Sequence, residues 1–74
     1  MNYRLNLFSW KPGKDPDREK ADNLSSYHYS KYRAAYLDFI KLMGQGRSVQ
    51  LHLVDLDNRS DWVIVDDSRW EVEE

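Results

Sequence analysis

Residues 25–36 read SSYHYSKYRAAY and hold four of the chain's five tyrosines, with His28, Lys31 and Arg33 between them. Two readings compete for this stretch. As an exposed basic and aromatic surface it would stack on bases and neutralise phosphates. As the start of a helix it would have to be packed away. Its continuation favours the second reading. Tyr29, Tyr32, Tyr36, Phe39 and Met43 recur at spacings of three and four, which at ~100° per residue draws one narrow apolar stripe. Ala35, Ile40 and Leu42 flank the stripe, and Lys31, Ala34, Asp38 and Lys41 lie opposite. Ser25, Ser26 or Ser30 can cap the start of such a helix. Gly44 or Gly46 can end it in the left-handed conformation. Tyr27 and His28 precede the stripe and remain surface candidates.

Outward from the helix the pattern changes to period two. YRLNLFSW, residues 3–10, places Tyr3, Leu5 and Leu7 on one face and Arg4 and Asn6 on the other, as a half-buried strand does. Phe8 and Trp10 then stand on the polar face, where they cover the far side of a sheet or lie over an edge. KPGK, residues 11–14, is a Pro-Gly turn that opens a polar loop at 11–26. Asp15 before Pro16 can start one helical turn there; a flexible loop is the alternative. RSVQLHLVDL, residues 47–56, alternates again, with Val49, Leu51 and Leu53 against Gln50 and His52. After the DNRSD turn, WVIV at 62–65 has no polar alternation and reads as a central strand covered on both faces. RWEVEE, residues 69–74, alternates and predicts either a continuation of that strand or a short further one.

The expected fold is therefore α+β: a small β-α-β-β domain with one aromatic-faced helix packed on a three- to four-stranded sheet. A right-handed crossover from the first strand to the second would make them parallel, with the apolar third strand between them in the order 2-3-1. The 74 residues form a single domain. A chain this short buries only about 60–65% of its unfolded surface, which leaves little room for a deep, dry catalytic cavity.

Composition narrows the function further. There is no cysteine, so neither a disulfide framework nor a thiolate metal site is available. No apolar run approaches the ~20 residues of a membrane span, and the start lacks the apolar run of a signal peptide; the expected location is the cytoplasm. His28 and His52 stand in no metal-ligand spacing. An EF-hand loop counted from Asp15 would need Gly and Glu where this chain has Lys20 and Ser26. GQGR, residues 44–47, is too short for a phosphate loop and follows a helix rather than a strand. No nucleophile elbow occurs, and the adjacent Asp66 and Asp67 would point to opposite faces of a strand. No metal, cofactor or catalytic residue is expected. Lys31, Arg33, Lys41 and Arg47 could form a basic face, yet the net charge is −2. That argues against direct nucleic-acid binding, which draws on concentrated positive charge.

Charge is divided along the chain. Residues 1–54 carry nine Lys/Arg against five Asp/Glu, giving +4, and residues 55–74 carry two against eight, giving −6. The division implies either an internal charge match or an acidic surface for a basic partner. Acidic residues also blunt sheet edges against aggregation, but Trp62 and Trp70 among them suit an interface, where Trp is a preferred anchor. Candidate protein-binding residues are Trp10 and Lys11 at a strand end, Tyr27, His28, Lys31 and Arg33 near the helix start, and Asp66, Asp67, Trp70 and Glu71 at the acidic end. Trp70 also fits a place in the core.

The start MNYRLNLFSWKPG, the acidic end DDSRWEVEE, the length and the many aromatics resemble the small phage-encoded regulators of host RNA polymerase. The resemblance implies a protein partner and no chemistry of its own. It implies a chain that acts in the bacterial host cytoplasm, interferes with sigma at initiation and promotes read-through at terminators; the free chain is expected to be monomeric. It carries no individual residue with it. A DNA-mimic inhibitor of a host nuclease, of the anti-restriction or anti-CRISPR type, is the alternative; the +4 balance of residues 1–54 speaks against it. A small nucleic-acid-binding domain is the third reading.

Overall fold

The computed structural model describes residues 2–22, 27–58 and 61–71. The elements are β1 (Tyr3–Trp10), β2 (Tyr27–Tyr29), α1 (Tyr32–Gly44), β3 (Ser48–Asp55), β4 (Trp62–Asp67) and a single-turn helix, α2 (Ser68–Glu71). The four strands form one sheet in the order β2-β1-β3-β4, antiparallel at every step. The fold is thus the expected small α+β domain with a helix on a four-stranded sheet, but two connections differ.

Residues 27–29 form a short strand, and Tyr29 pairs with Leu5 instead of starting the helix. β1 is flanked on both sides by antiparallel neighbours, so β2 and β3 run in the same direction with β1 between them. The crossover helix therefore links β2 to β3, and the predicted parallel pair of first and second long strands does not form. Three residues of alternating YHY are too short for a strand to be distinguished from the helical pattern that follows.

WVIV is the second correction. It lies in β4 at the outer edge, not in the centre. Geometry explains its exposure. A helix is about 10 Å across and strands lie about 4.8 Å apart, so one helix covers roughly two strand spacings. α1 packs over β1, β2 and β3 and reaches β4 through the Tyr32 hydroxyl at Asp66, so the apolar residues of β4 stay exposed. A bulge between Leu51 and His52 sets Val65 out of register, because His52 pairs with Ile64 and Leu51 with Asp66.

The core lies between α1 and the sheet. Leu5 and Leu7 of β1 meet Ala35 and Phe39 of α1 and Val49 and Leu51 of β3, with Tyr29, Tyr36, Leu42, Met43 and Leu53 around them. The predicted stripe is thus anchored at Ala35 and Phe39, while Tyr32 and Ile40 at its margins stay exposed. Tyr32, Tyr36 and Phe39 stack along the helix, with centroids 5.9 and 6.1 Å apart. Lys31 occupies the N-cap position without a side-chain cap; of the expected caps, Ser25 and Ser26 lie outside the described residues. Gly46, at φ +81, makes the left-handed exit.

The opposite face of the sheet is covered by the polar loop. Lys14 N–H closes the Pro-Gly turn onto the Lys11 carbonyl at 3.1 Å, with Gly13 at φ +88. Asp15 caps one turn: its Oδ1 accepts from Asp17 N–H at 2.9 Å, and Glu19 N–H donates to its carbonyl at 2.9 Å. The loop is tied to the sheet by the Asp22 N–H, which donates to the Ser9 carbonyl at 3.1 Å, and by three side-chain links. Trp10 Nε1 donates to the Glu19 carbonyl at 2.6 Å, Arg47 pairs with Asp22 at 2.8 Å, and Arg69 pairs with Asp17 at 2.7 Å. The expected match of a basic first part to an acidic end takes a different form. Among the described residues, the ion pair that joins the two, Arg69–Asp17, carries its cation on the acidic end.

Candidate protein-binding surface

The candidate residues fall at different places. Tyr27 and His28 sit on the β2 edge, and Lys31 and Arg33 at the start of α1; all are exposed. Asp66, Asp67, Trp70 and Glu71 belong to the far edge, in and just after β4. The two groups occupy opposite margins of the sheet. His28 Nδ1 accepts at 3.0 Å from an Arg4 guanidinium nitrogen on the back face.

Two candidates are internal. Trp10 is buried beneath the 11–22 loop, with its indole N–H satisfied by Glu19, so contact through it would require lifting that loop. Lys11 beside it is exposed. Asp67 is buried and acts as a structural carboxylate. It accepts from Arg69 Nε at 3.0 Å and Nη2 at 2.6 Å, from Arg69 N–H at 3.0 Å, and from Gln50 Nε2 at 3.4 Å. Burial alone would raise its pKa, but the hydrogen bonds and charge of Arg69 outweigh it and hold the group below its ordinary value. By accepting Arg69 N–H, Asp67 caps a helical turn; this turns residues 68–71 away from the strand expected there. The neighbouring Asp66 faces the helix side, where it accepts from the Tyr32 hydroxyl. The two aspartates thus point to opposite faces, as strand geometry requires.

Of the large apolar side chains exposed at this edge, only Trp70 was among the candidates; the four of β4 were not. Trp62 is 49% exposed, Val63 55%, Ile64 49% and Val65 38%, and Trp70 just beyond the strand is 67% exposed. Trp62 and Ile64 share the back face with Val54 and His52, and Val63 lies beside Leu53 on the helix side. On the back face Phe8 stacks on Trp62 at 5.9 Å, and the His52 ring lies edge-on beside both, 4.9 Å from Phe8 and 6.0 Å from Trp62. These rings, with Trp10, Pro16 and Ala21, wall an open cleft of about 690 Å³. A smaller one of about 240 Å³ opens on the helix side between Tyr3, Tyr29, Tyr32, Leu53 and Val65.

His52 hydrogen-bonds Gln50 Oε1 through Nε2 at 3.1 Å. Its Nδ1 and the neighbouring Asn6 Oδ1 are buried without a hydrogen-bond partner. Burial holds the imidazole below its ordinary pKa against the pull of Asp67, so the ring is neutral near pH 7. Around the apolar edge the charge is negative: Asp57 and Asp61 are exposed and Asp55 and Asp66 half-buried. An apolar strip with two tryptophans in an acidic setting can desolvate against a partner and steer a basic one.

Among the described residues, no group of three or more His, Asp or Glu is placed to hold a metal ion, and no helix is long and apolar enough to cross a membrane. No protein-family model matches the chain, and no curated protein or solved structure matches it.

Proposed function

We propose that this chain is a non-catalytic protein-binding module whose contact surface is centred on β4 and Trp70. The observation that carries the reading is the run of four apolar residues, Trp62–Val65, exposed along an outer strand. Sheet edges that need only stay soluble carry charge, bulges or proline. Here the bulge at Val65 is one such device, but the charges stand beside the apolar run rather than within it, and the run stays exposed. Burying a Trp side chain against a partner gives the kind of anchor on which interfaces depend.

The partner proposed is bacterial RNA polymerase, on the strength of the resemblance to phage-encoded regulators. The chain would act by binding one state of the enzyme better than another and so changing its population. The outcomes are weaker sigma-dependent initiation and more read-through at terminators. The test is titration of purified bacterial core and holoenzyme with fluorescently labelled chain, followed by promoter and terminator assays. Saturable binding that is lost in Trp62→Ala and Trp70→Ala, with initiation inhibited only by the parent chain, supports the reading. Absence of binding to both enzyme forms overturns the polymerase assignment. Binding that is unchanged in both variants overturns the β4 surface.

A further inference from the structure

β4 is the last strand on its side of the sheet, with β3 as its neighbour. Among the described residues its outer backbone edge faces no further strand. An extended chain laid along that edge would meet apolar surface on both its faces. On the back it would run beside Trp62 and Ile64, which continue into the Phe8 and His52 rings. On the helix side it would run beside Val63 and Val65, next to the cleft walled by Tyr32 and Leu53. Asp61 stands before the strip and Asp66 after it, with Asp55 at the end of β3 and Asp57 in the adjoining turn; beyond Asp66, Asp67 is neutralised by Arg69.

These observations say what can dock. A second copy fits poorly. In antiparallel self-pairing centred on Val63 and Ile64, the Asp61 end of each copy is brought to the Asp66 end of the other, and the bulge at Val65 in both copies interrupts a regular ladder. Like charges directly across a ladder are destabilising. A strand with basic ends turns the same positions into attractive pairs. We propose that β4 accepts an extended segment of a partner protein as an added strand, apolar at alternate or successive positions in its middle and carrying Lys or Arg at both ends. Main-chain hydrogen bonds would supply affinity, and the flanking charges would set register and choice of partner. This rests on the binding-module reading and names the chemistry of the partner.

The probe is a short synthetic peptide of alternating valine and threonine with paired lysines at each end, titrated into isotope-labelled protein and followed by NMR. The expected result is saturable shifts along Trp62–Asp66, slowed amide exchange on the outer edge of β4, and affinity that falls several-fold as salt screens the flanks. A peptide methylated at alternate backbone nitrogens on the pairing edge should not bind, nor should one ending in glutamates. Val63→Lys and Asp61→Lys, each with an otherwise native spectrum, should weaken binding of the lysine peptide at least several-fold. Equal binding of the methylated or glutamate peptide overturns the proposal. So do shifts that map away from β4, or protection of the edge by self-association without peptide. A chain that binds polymerase through Trp62 and Trp70 but ignores the lysine peptide overturns the added strand alone. A peptide response without polymerase binding upholds the strand and rejects only that partner.

Discussion

Asp66 and Asp67 are the same residue type one position apart, and the structure gives them different work. Asp67 is held by Arg69 and Gln50 inside the fold, whereas Asp66 reaches the Tyr32 hydroxyl on the helix side. Asp67→Ala leaves Gln50 and the first turn of α2 without their acceptor, and should cost about 1–3 kcal/mol, read as a lower urea midpoint. The folded-state pKa of Asp67 lies below its ordinary 3.8, so its stabilisation is complete above the unfolded value and is lost as pH falls through the folded one. His52 acts at a higher pH. Its folded pKa lies below the ordinary 6.5, so the unfolded chain takes up a proton that the folded chain resists. Stability should be level above about pH 7.5 and decline as pH falls below about 6.5. Melting curves across that range should show the decline, and His52→Phe should flatten it. Equal slopes in parent and variant would overturn the assignment to His52.

At the scale of elements, the two glycines that end α1 have different roles. Gly46 sits at φ +81, where a side chain is strained, and closes the helix by donating to the Met43 carbonyl at 3.0 Å. Gly44 lies in the last turn of the helix with open space around its Cα. Gly46→Ala should therefore destabilise by about 1 kcal/mol, and Gly44→Ala should stabilise by about 0.5–1 kcal/mol. Chemical denaturation of both variants checks the opposite signs. The 11–22 loop is the other informative element. Its residues are polar and read as either one helical turn or a flexible connection, yet the sheet's far face needs cover because Phe8 and Trp10 are on it. Trp10→Phe keeps the ring and removes the bond to Glu19. It should speed amide exchange across residues 15–22 and leave the α1 core protected.

For the whole molecule, small size sets the margin. A domain of this size holds about 3–5 kcal/mol, and truncating a fully buried Phe typically costs about 3–5 kcal/mol. Phe39→Ala should leave much of the chain unfolded at 25 °C, visible as collapsed amide dispersion in NMR. Val63→Lys tests the opposite margin. Val63 is among the most exposed apolar residues, so this variant should stay folded within about 0.5 kcal/mol. The apolar strip is thus separable from the core, and loss of partner binding in such variants can be read without confusion with unfolding.

The sequence by itself determined the α+β class, the helix face through Ala35 and Phe39, the two long alternating strands, the Pro-Gly turn and a helix exit at Gly44 or Gly46. Each depends on local chemistry or on a periodicity sustained over enough residues to be unambiguous. Tertiary structure decided the rest. Three residues of YHY become a strand only because β1 offers them a free edge. WVIV carries the same letters whether it is a buried central strand or an exposed outer one. Its place follows from where the crossover helix lands, and with it the location of the candidate surface. Trp10, Asp67 and the loop likewise took their roles from partners distant in the chain, Glu19, Gln50 and Arg69 among them, which periodicity cannot register.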